Sequence, residues 1–220
     1  MSELTLIIGN KNYSSWSLRP WLFMKHAAIP LAEKRIALYT STSREELEPC
    51  HSNCKVPVLI DCDLIVWDSL AILEYIAERF PDSHGWPEDT KARTIARSIS
   101  AEMHSSFVNL QSELPMNCRR RYTNIKVSDA TQRDIERIRG LWRVCRDQYG
   151  GEGEWLFGKF CIADAMYAPV ALRFAGYGIP LSGTEVSYVQ SILKHPYIIE
   201  WMEAGRQEQE VLADFEMDTD

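Results

Sequence analysis

Seven residues, Pro81-Asp82-Ser83-His84-Gly85-Trp86-Pro87, separate two stretches of this chain that follow different hydrophobic periods. Proline and glycine at that density interrupt helix and strand alike, so the segment reads as a linker. Before it, Leu4 to Ile8 reads as a strand, Leu18 to Ala28 as an amphipathic helix and Lys34 to Leu38 as a second strand. Val56 to Ile60 and Leu64 to Trp67 flank Asp61-Cys62-Asp63, a hairpin pattern. Ser69 to Phe80 follows as a helix with Leu70, Leu73, Ile76 and Ala77 on one face and Pro81 at its end. After the linker the period is helical throughout. Ile95, Ile99, Met103, Phe107, Leu110 and Leu114 form one face of a long helix ending at Pro115. Ile135 to Tyr149 gives a second helix, and Ile162 to Phe174 a third, apolar nearly all round and therefore buried. Val186 to Leu193 and Pro196 to Arg206 supply two shorter ones, and the acidic tail Asp214 to Asp220 is expected to fray. The chain thus predicts a small α/β domain over residues 1–81 and an all-α domain over residues 88–220.

Bulk properties exclude several function classes. The net charge of −7 argues against nucleic acid as a partner, and the lone basic run Arg119-Arg120-Arg121 reads as decoration of a loop or helix end. No stretch approaches the roughly 20 apolar residues of a membrane span. The N-terminus shows no secretory pattern, so a cytoplasmic location and six reduced thiols are expected. Cys50, His51 and Cys54 lack the paired knuckles of a zinc site, and no metal is expected.

Three local motifs carry chemistry. The first, Asn12-Tyr13-Ser14-Ser15-Trp16-Ser17-Leu18-Arg19, follows the first strand and opens the first helix. It brings small hydroxyls to a helix N-terminus, where unpaired N–H groups and the helix dipole favour an anion. Read alone, such a serine cluster is a helix cap. The second is Lys55-Val56-Pro57-Val58-Leu59, which alone reads equally as an edge strand with a proline near its start. The third is Asp68-Ser69-Leu70-Ala71-Ile72, where Asp68 or Ser69 caps a helix or leaves its N-terminus open to a carboxylate.

Together, in this β-α-β then β-β-α order, the motifs resemble the glutathione S-transferase family over Leu4 to about Trp201. The resemblance implies a thioredoxin-like α/β N-terminal domain, an all-helical C-terminal domain, a homodimer, and glutathione as co-substrate with no permanently bound cofactor. The Ser14-Ser15-Trp16-Ser17 turn is similar to serine-type classes, zeta and tau above all, and selects Ser14 as the catalytic residue, with Ser15 as runner-up. In the family the proline matching Pro57 is cis, and the residue matching Val56 offers its backbone to the cysteinyl part of glutathione. Asp68 and Ser69 match the positions that bind the γ-glutamyl group, and Lys55 is a candidate for the glycine carboxylate. Cys161-Ile162-Ala163-Asp164 resembles the family's capping box at the buried central helix, with a thiol in place of the usual hydroxyl.

A free thiol with a pKa near 8.5 is only about 3% ionised at pH 7. Lowering it by about two units needs roughly 2.7 kcal/mol, and one hydrogen bond to a charged acceptor supplies roughly 1.5–3 kcal/mol. A serine donor at a helix N-terminus therefore suffices to make a nucleophilic thiolate for attack on a small electrophile. His104, Phe107 and Val108 on the long helix are candidates to line the electrophile pocket. Two other functions fit the resemblance: a binding or regulatory protein without turnover, and a zeta-type isomerase, against which Trp16 stands where the zeta class has cysteine. A thiol-disulfide oxidoreductase requires a nucleophilic cysteine at positions 14 to 17, and there is none.

Overall fold

A computed structural model describes residues 4–50 and 53–217. The chain opens with β1 (Leu4–Ile8), α1 (Ser15–His26), β2 (Leu31–Arg35), α2 (Ser43–Leu47), β3 (Val58–Asp61), β4 (Leu64–Val66) and α3 (Ser69–Arg79). The sheet order is β2-β1-β3-β4, with β1 parallel to β2 and antiparallel to β3. Alternation along β1 explains how the sheet is covered. Leu4, Leu6 and Ile8 face α1 and α3, joining Leu22, Ile72 and Leu73, while Ile7 faces the other way into a small cluster with Ile36, Leu47 and Val58. This is the thioredoxin-like arrangement.

The second strand sits three residues earlier than its apolar pattern predicts. Its register is set by pairing with β1, from Leu4 opposite Leu31 to Ile8 opposite Arg35. Glu33, Lys34 and Arg35 lie on this exposed edge, where charge blunts further pairing and erases the apolar alternation.

The helical part comprises α4 (Thr90–Ser105), α5 (Val108–Glu113), α6 (Asp129–Tyr149), α7 (Ile162–Gly176), α8 (Thr184–Lys194) and α9 (Pro196–Gln207). The long helix expected from Ile95 to Leu114 is broken: Phe107 adopts a left-handed conformation (φ 58°) between α4 and α5. The apolar face survives the break because Phe107, Leu110 and Leu114 all return to the core. α7 is buried along nearly its whole length, and Asp164 anchors its start by accepting hydrogen bonds from the N–H groups of Cys161 and Leu156, both at 3.0 Å. α7 packs against α1, so a continuous apolar core joins the sheet part to the helical part.

The C-terminal segment is tied down, contrary to the expectation of fraying. Residues Ala213–Phe215 form a short turn, and Glu216 accepts hydrogen bonds from Tyr13 and Arg120. Residues 218–220 of the expected acidic tail lie outside the described residues, as does His51. Among the described residues no helix is long and apolar enough to cross a membrane.

Candidate active site

The turn between β1 and α1 is held by residues distant in sequence. Asn10 Oδ1 accepts from the N–H of Leu38, and Asn12 Oδ1 accepts from the N–H groups of Cys118 and Arg119. The Glu208 carboxylate, just beyond α9, accepts from the N–H groups of Lys11 (2.7 Å) and Asn12 (3.0 Å). Trp201 Nε1 donates to the Lys11 carbonyl at 2.8 Å. Gly205 permits this approach, because a Cβ there would lie 3.0 Å from the Asn12 nitrogen. The helical part thus fixes the backbone that presents Ser14 and Ser15.

Ser14 is the N-cap of α1, its Oγ accepting from the N–H of Ser17 at 3.4 Å. Its own hydroxyl proton goes to Ser17 Oγ at 2.8 Å, and Ser17 Oγ also accepts from the N–H of Gly9. Ser15 is placed differently. Its Oγ accepts from Arg173 Nη2 at 3.3 Å, and no acceptor for its own hydroxyl proton occurs among the described residues. Both serines line one cavity of about 570 Å³. Tyr13 borders the same cavity but is committed elsewhere. Its hydroxyl donates to Glu216 and accepts from Arg119 and the N–H of Leu212. Burial first, and the bond to Glu216 second, push the Tyr13 phenol above its ordinary pKa.

Two buried cations flank the turn. Arg19 is fully buried, and none of its three guanidinium nitrogens has a hydrogen-bond partner among the described residues. Its charge stacks on the Trp16 ring at 3.9 Å. Arg173, on α7, donates from Nε to the Leu114 carbonyl at 2.7 Å and from Nη2 to Ser15, and Nη1 has no partner among the described residues. Burial lowers the two guanidinium pKa values to about 9 for Arg19 and about 10 for Arg173, the Arg173 charge further depressing Arg19. Both remain cationic at neutral pH.

A second cavity of about 430 Å³ adjoins the first and shares Trp16, Asn53, Lys55 and Val56 with it. Pro57, Trp67, Asp68, Ser69 and His104 complete it, and the Val56–Pro57 peptide is cis. Asp68 caps α3 by accepting from the N–H of Leu70 at 3.2 Å and pairs with His104 Nε2 at 2.9 Å. Ser69 is buried at the first position of α3, and its Oγ finds no partner among the described residues. A helix N-terminus with an unused hydroxyl is suited to a carboxylate. The three sequence motifs therefore converge on two joined cavities, with Trp16 on the wall between them.

The structure also departs from the expected electrophile pocket. His104 lies on the wall of the second cavity, with its ring edge-on to Trp16 at 5.4 Å. Phe107 is buried in the core and Val108 is 64% exposed, and neither lines either cavity. The break at Phe107 turns them away. The first cavity is instead closed by Gln111, Pro115 and the C-terminal residues Leu212 and Phe215. Arg119 holds that segment with hydrogen bonds to the carbonyls of Glu208 and Glu210 and to Tyr13. The basic run at positions 119 to 121 offered a signal for this anchoring role. Arg173 gave another, as a lone cation in an otherwise apolar helix.

Comparison with known proteins bears on the fold. Residues 13–79 match the sequence profile of the glutathione S-transferase N-terminal domain. A probable maleylacetoacetate isomerase of Caenorhabditis elegans is 31% identical over 98 residues, a match that spans 44% of this chain and 45% of that protein. A glutathione S-transferase of Triticum aestivum is 25% identical over 162 residues, covering 71% of this chain and 75% of that protein. Among solved structures, a Burkholderia glutathione transferase homologue with bound glutathione superposes with a TM-score of 0.71 at 23% identity, covering 94% of this chain and 100% of its own. Its similarity speaks for the fold. The whole chain thus shares its fold with that structure, and residues 13–79 are similar to the glutathione S-transferase N-terminal domain.

Proposed function

We propose that this chain is a glutathione transferase in which Ser14 Oγ donates a hydrogen bond to the glutathione sulfur and holds it as a thiolate for attack on a small electrophile. Residues 1–81 bind glutathione and residues 88–220 supply the pocket for the second substrate. One observation carries the reading: Ser14 caps α1 on a cavity that shares the Lys55–Val56 wall with the groove under Asp68 and Ser69. Glutathione in that groove sets its γ-glutamyl carboxylate at the α3 N-terminus beside Ser69, its ammonium at Asp68, its backbone along Val56 and its glycine carboxylate near Lys55. The sulfur then reaches the first cavity. The Ser14 hydroxyl turns from Ser17 to the sulfur, a motion of one rotor, and the α1 dipole adds to the stabilisation.

Ser15 is the second reading, and the free proton of its hydroxyl favours it. Conjugation kinetics separate the two. Ser14→Ala is expected to lower kcat/KM about 10- to 100-fold, the loss of one hydrogen bond to a charged group, while retention on a glutathione-affinity matrix persists. A larger loss in Ser15→Ala than in Ser14→Ala transfers the role to Ser15. Absence of turnover with retained glutathione binding would make the chain a binding module. The relative named as a probable maleylacetoacetate isomerase makes isomerisation the reaction to assay beside conjugation. A homodimer and a cytoplasmic location belong to the same proposal.

A further inference from the structure

We propose that the chain holds a second ligand site, for a small organic cation with a flat aromatic body, in the cavity between the linker and the loop joining α6 to α7. This cavity, about 650 Å³, is larger than either of the two already described and shares no lining residue with them. It therefore stands apart from the glutathione reading. Its size lies within the range of small-molecule sites.

Bonds within the chain fix the walls. The N–H of Gly158 donates to the Trp155 carbonyl at 3.1 Å, and Arg146 on α6 donates to the carbonyls of Gly153 and Trp155. Gly153 permits this fold of the loop, because a Cβ there would collide with the Gly158 carbonyl. The linker is tied to α7 by the N–H of Ile162, which donates to the Gly85 carbonyl at 2.9 Å. Trp86 Nε1 donates to Glu74 at 3.0 Å. A site held in this way spares a ligand part of the ordering cost.

The lining selects the charge. Trp86, Tyr149, Phe157 and Phe160 line the cavity, and Phe157 and Phe160 are buried. The rings of Tyr149 and Phe157 lie 5.6 Å apart, and Trp86 already takes the Arg97 guanidinium 5.4 Å from its ring centre. Aromatic faces are electrostatically negative and attract cations. The charged groups at the cavity are the carboxylates of Glu88 and Asp89 and the ammonium of Lys159, with His84 beside them. One Asp89 oxygen caps α4 on the N–H of Ala92, and Glu88 lies 3.8 Å from His84. Neither carboxylate has an arginine or lysine partner among the described residues. Two carboxylates against one ammonium favour a positive ligand, and the aromatic side chains favour a flat ring beside that charge.

Three probes that share one ring system test this: naphthylmethyltrimethylammonium, naphthylmethanol and naphthylacetate, which are positive, neutral and negative. Each is titrated calorimetrically into the protein, with and without saturating S-hexylglutathione, which fills the two joined cavities under the glutathione reading. The ammonium is expected to bind with a Kd about 3- to 10-fold below that of the alcohol, unchanged by S-hexylglutathione, and the acid to bind most weakly. Glu88→Gln combined with Asp89→Asn, in which asparagine still caps α4, should bring the ammonium-to-alcohol preference close to one. Tyr149→Leu should weaken the ammonium by about 2- to 5-fold and leave retention on a glutathione matrix unchanged.

An ammonium that binds no tighter than the alcohol, or an acid that binds tightest, overturns the inference. Displacement of the ammonium by S-hexylglutathione does the same, because it seats the probe in the joined cavities. So does an unaltered preference in the folded double variant. Failure of S-hexylglutathione to bind removes the glutathione reading alone, and the double variant then decides this inference by itself.

Discussion

Arg19 illustrates how a single residue at this site trades stability against electrostatics. Its guanidinium is fully buried, stacks on Trp16 and makes no hydrogen bond among the described residues. Replacing a buried, unpaired charge by an apolar side chain of similar volume is often neutral or stabilising, by about 1–4 kcal/mol. Arg19→Met is therefore expected to keep or raise Tm, measured by calorimetry, while weakening the positive potential at the serine turn and lowering conjugation. A drop of several degrees in Tm would mean that the Trp16 stack outweighs the desolvation of the charge. Ser14 and Ser69 were legible as single residues because a helix start has a local sequence pattern. The occupation of Ser15 by Arg173 was not, since the contact joins positions 158 residues apart.

At the scale of elements, the segment after α9 acts as a strap across the site. Glu208 binds the turn between β1 and α1, Arg119 holds the carbonyls of Glu208 and Glu210, and Phe215 packs between Tyr13 and Tyr39. Arg119→Ala removes the side chain that ties two strap carbonyls to Tyr13. Hydrogen exchange over residues 208–217 should then accelerate, with a loss of global stability on the order of 1–2 kcal/mol. Unchanged exchange in that segment would assign the strap's order to Glu208 and Glu216 alone. Sequence periodicity located β1 and α3 closely because each buries a face of its own, and α7 because it is apolar nearly all round, while α6 begins six residues before its apolar pattern, at Asp129. It joined α4 to α5 because the apolar spacing continues through Phe107, where only the backbone reverses. The strap read as a fraying tail because its partners, Lys11, Tyr13 and Arg119, lie about 90 to 200 residues away in sequence.

Across the whole molecule, the junction between the sheet part and the helical part contains a pair of histidines. His26 at the end of α1 and His195 at the start of α9 meet at 3.0 Å, Nδ1 to Nε2. The N–H of Tyr197 donates to His195 Nδ1, so neutral His195 carries its proton on Nε2 and donates it to His26. Burial among Phe160, Trp155 and Tyr197 lowers the pKa of His195 to about 4, with the His26 charge adding to the effect, and burial lowers that of His26 as well. A depressed histidine pKa favours the neutral form in the folded state. The stabilisation is complete above the unfolded value near 6.5 and is lost as pH falls toward 4. Allowing for solvent screening of the exposed His26 beside the buried His195, chemical denaturation should show a loss on the order of 1–2 kcal/mol across that interval. His195→Gln should flatten the slope; an equal slope in the variant would place the titration elsewhere. No sequence pattern announced this pair, because each histidine stands alone on its own helix.

The central claim concerns the sulfur of bound glutathione, and its thiolate absorbance as a function of pH tests that claim most directly. The unsubstituted protein should show an apparent thiol pKa about two units below the free value near 8.5, and Ser14→Ala should raise it by about one to two units. An identical titration in Ser14→Ala with glutathione still bound would contradict the account and remove Ser14 from the chemistry.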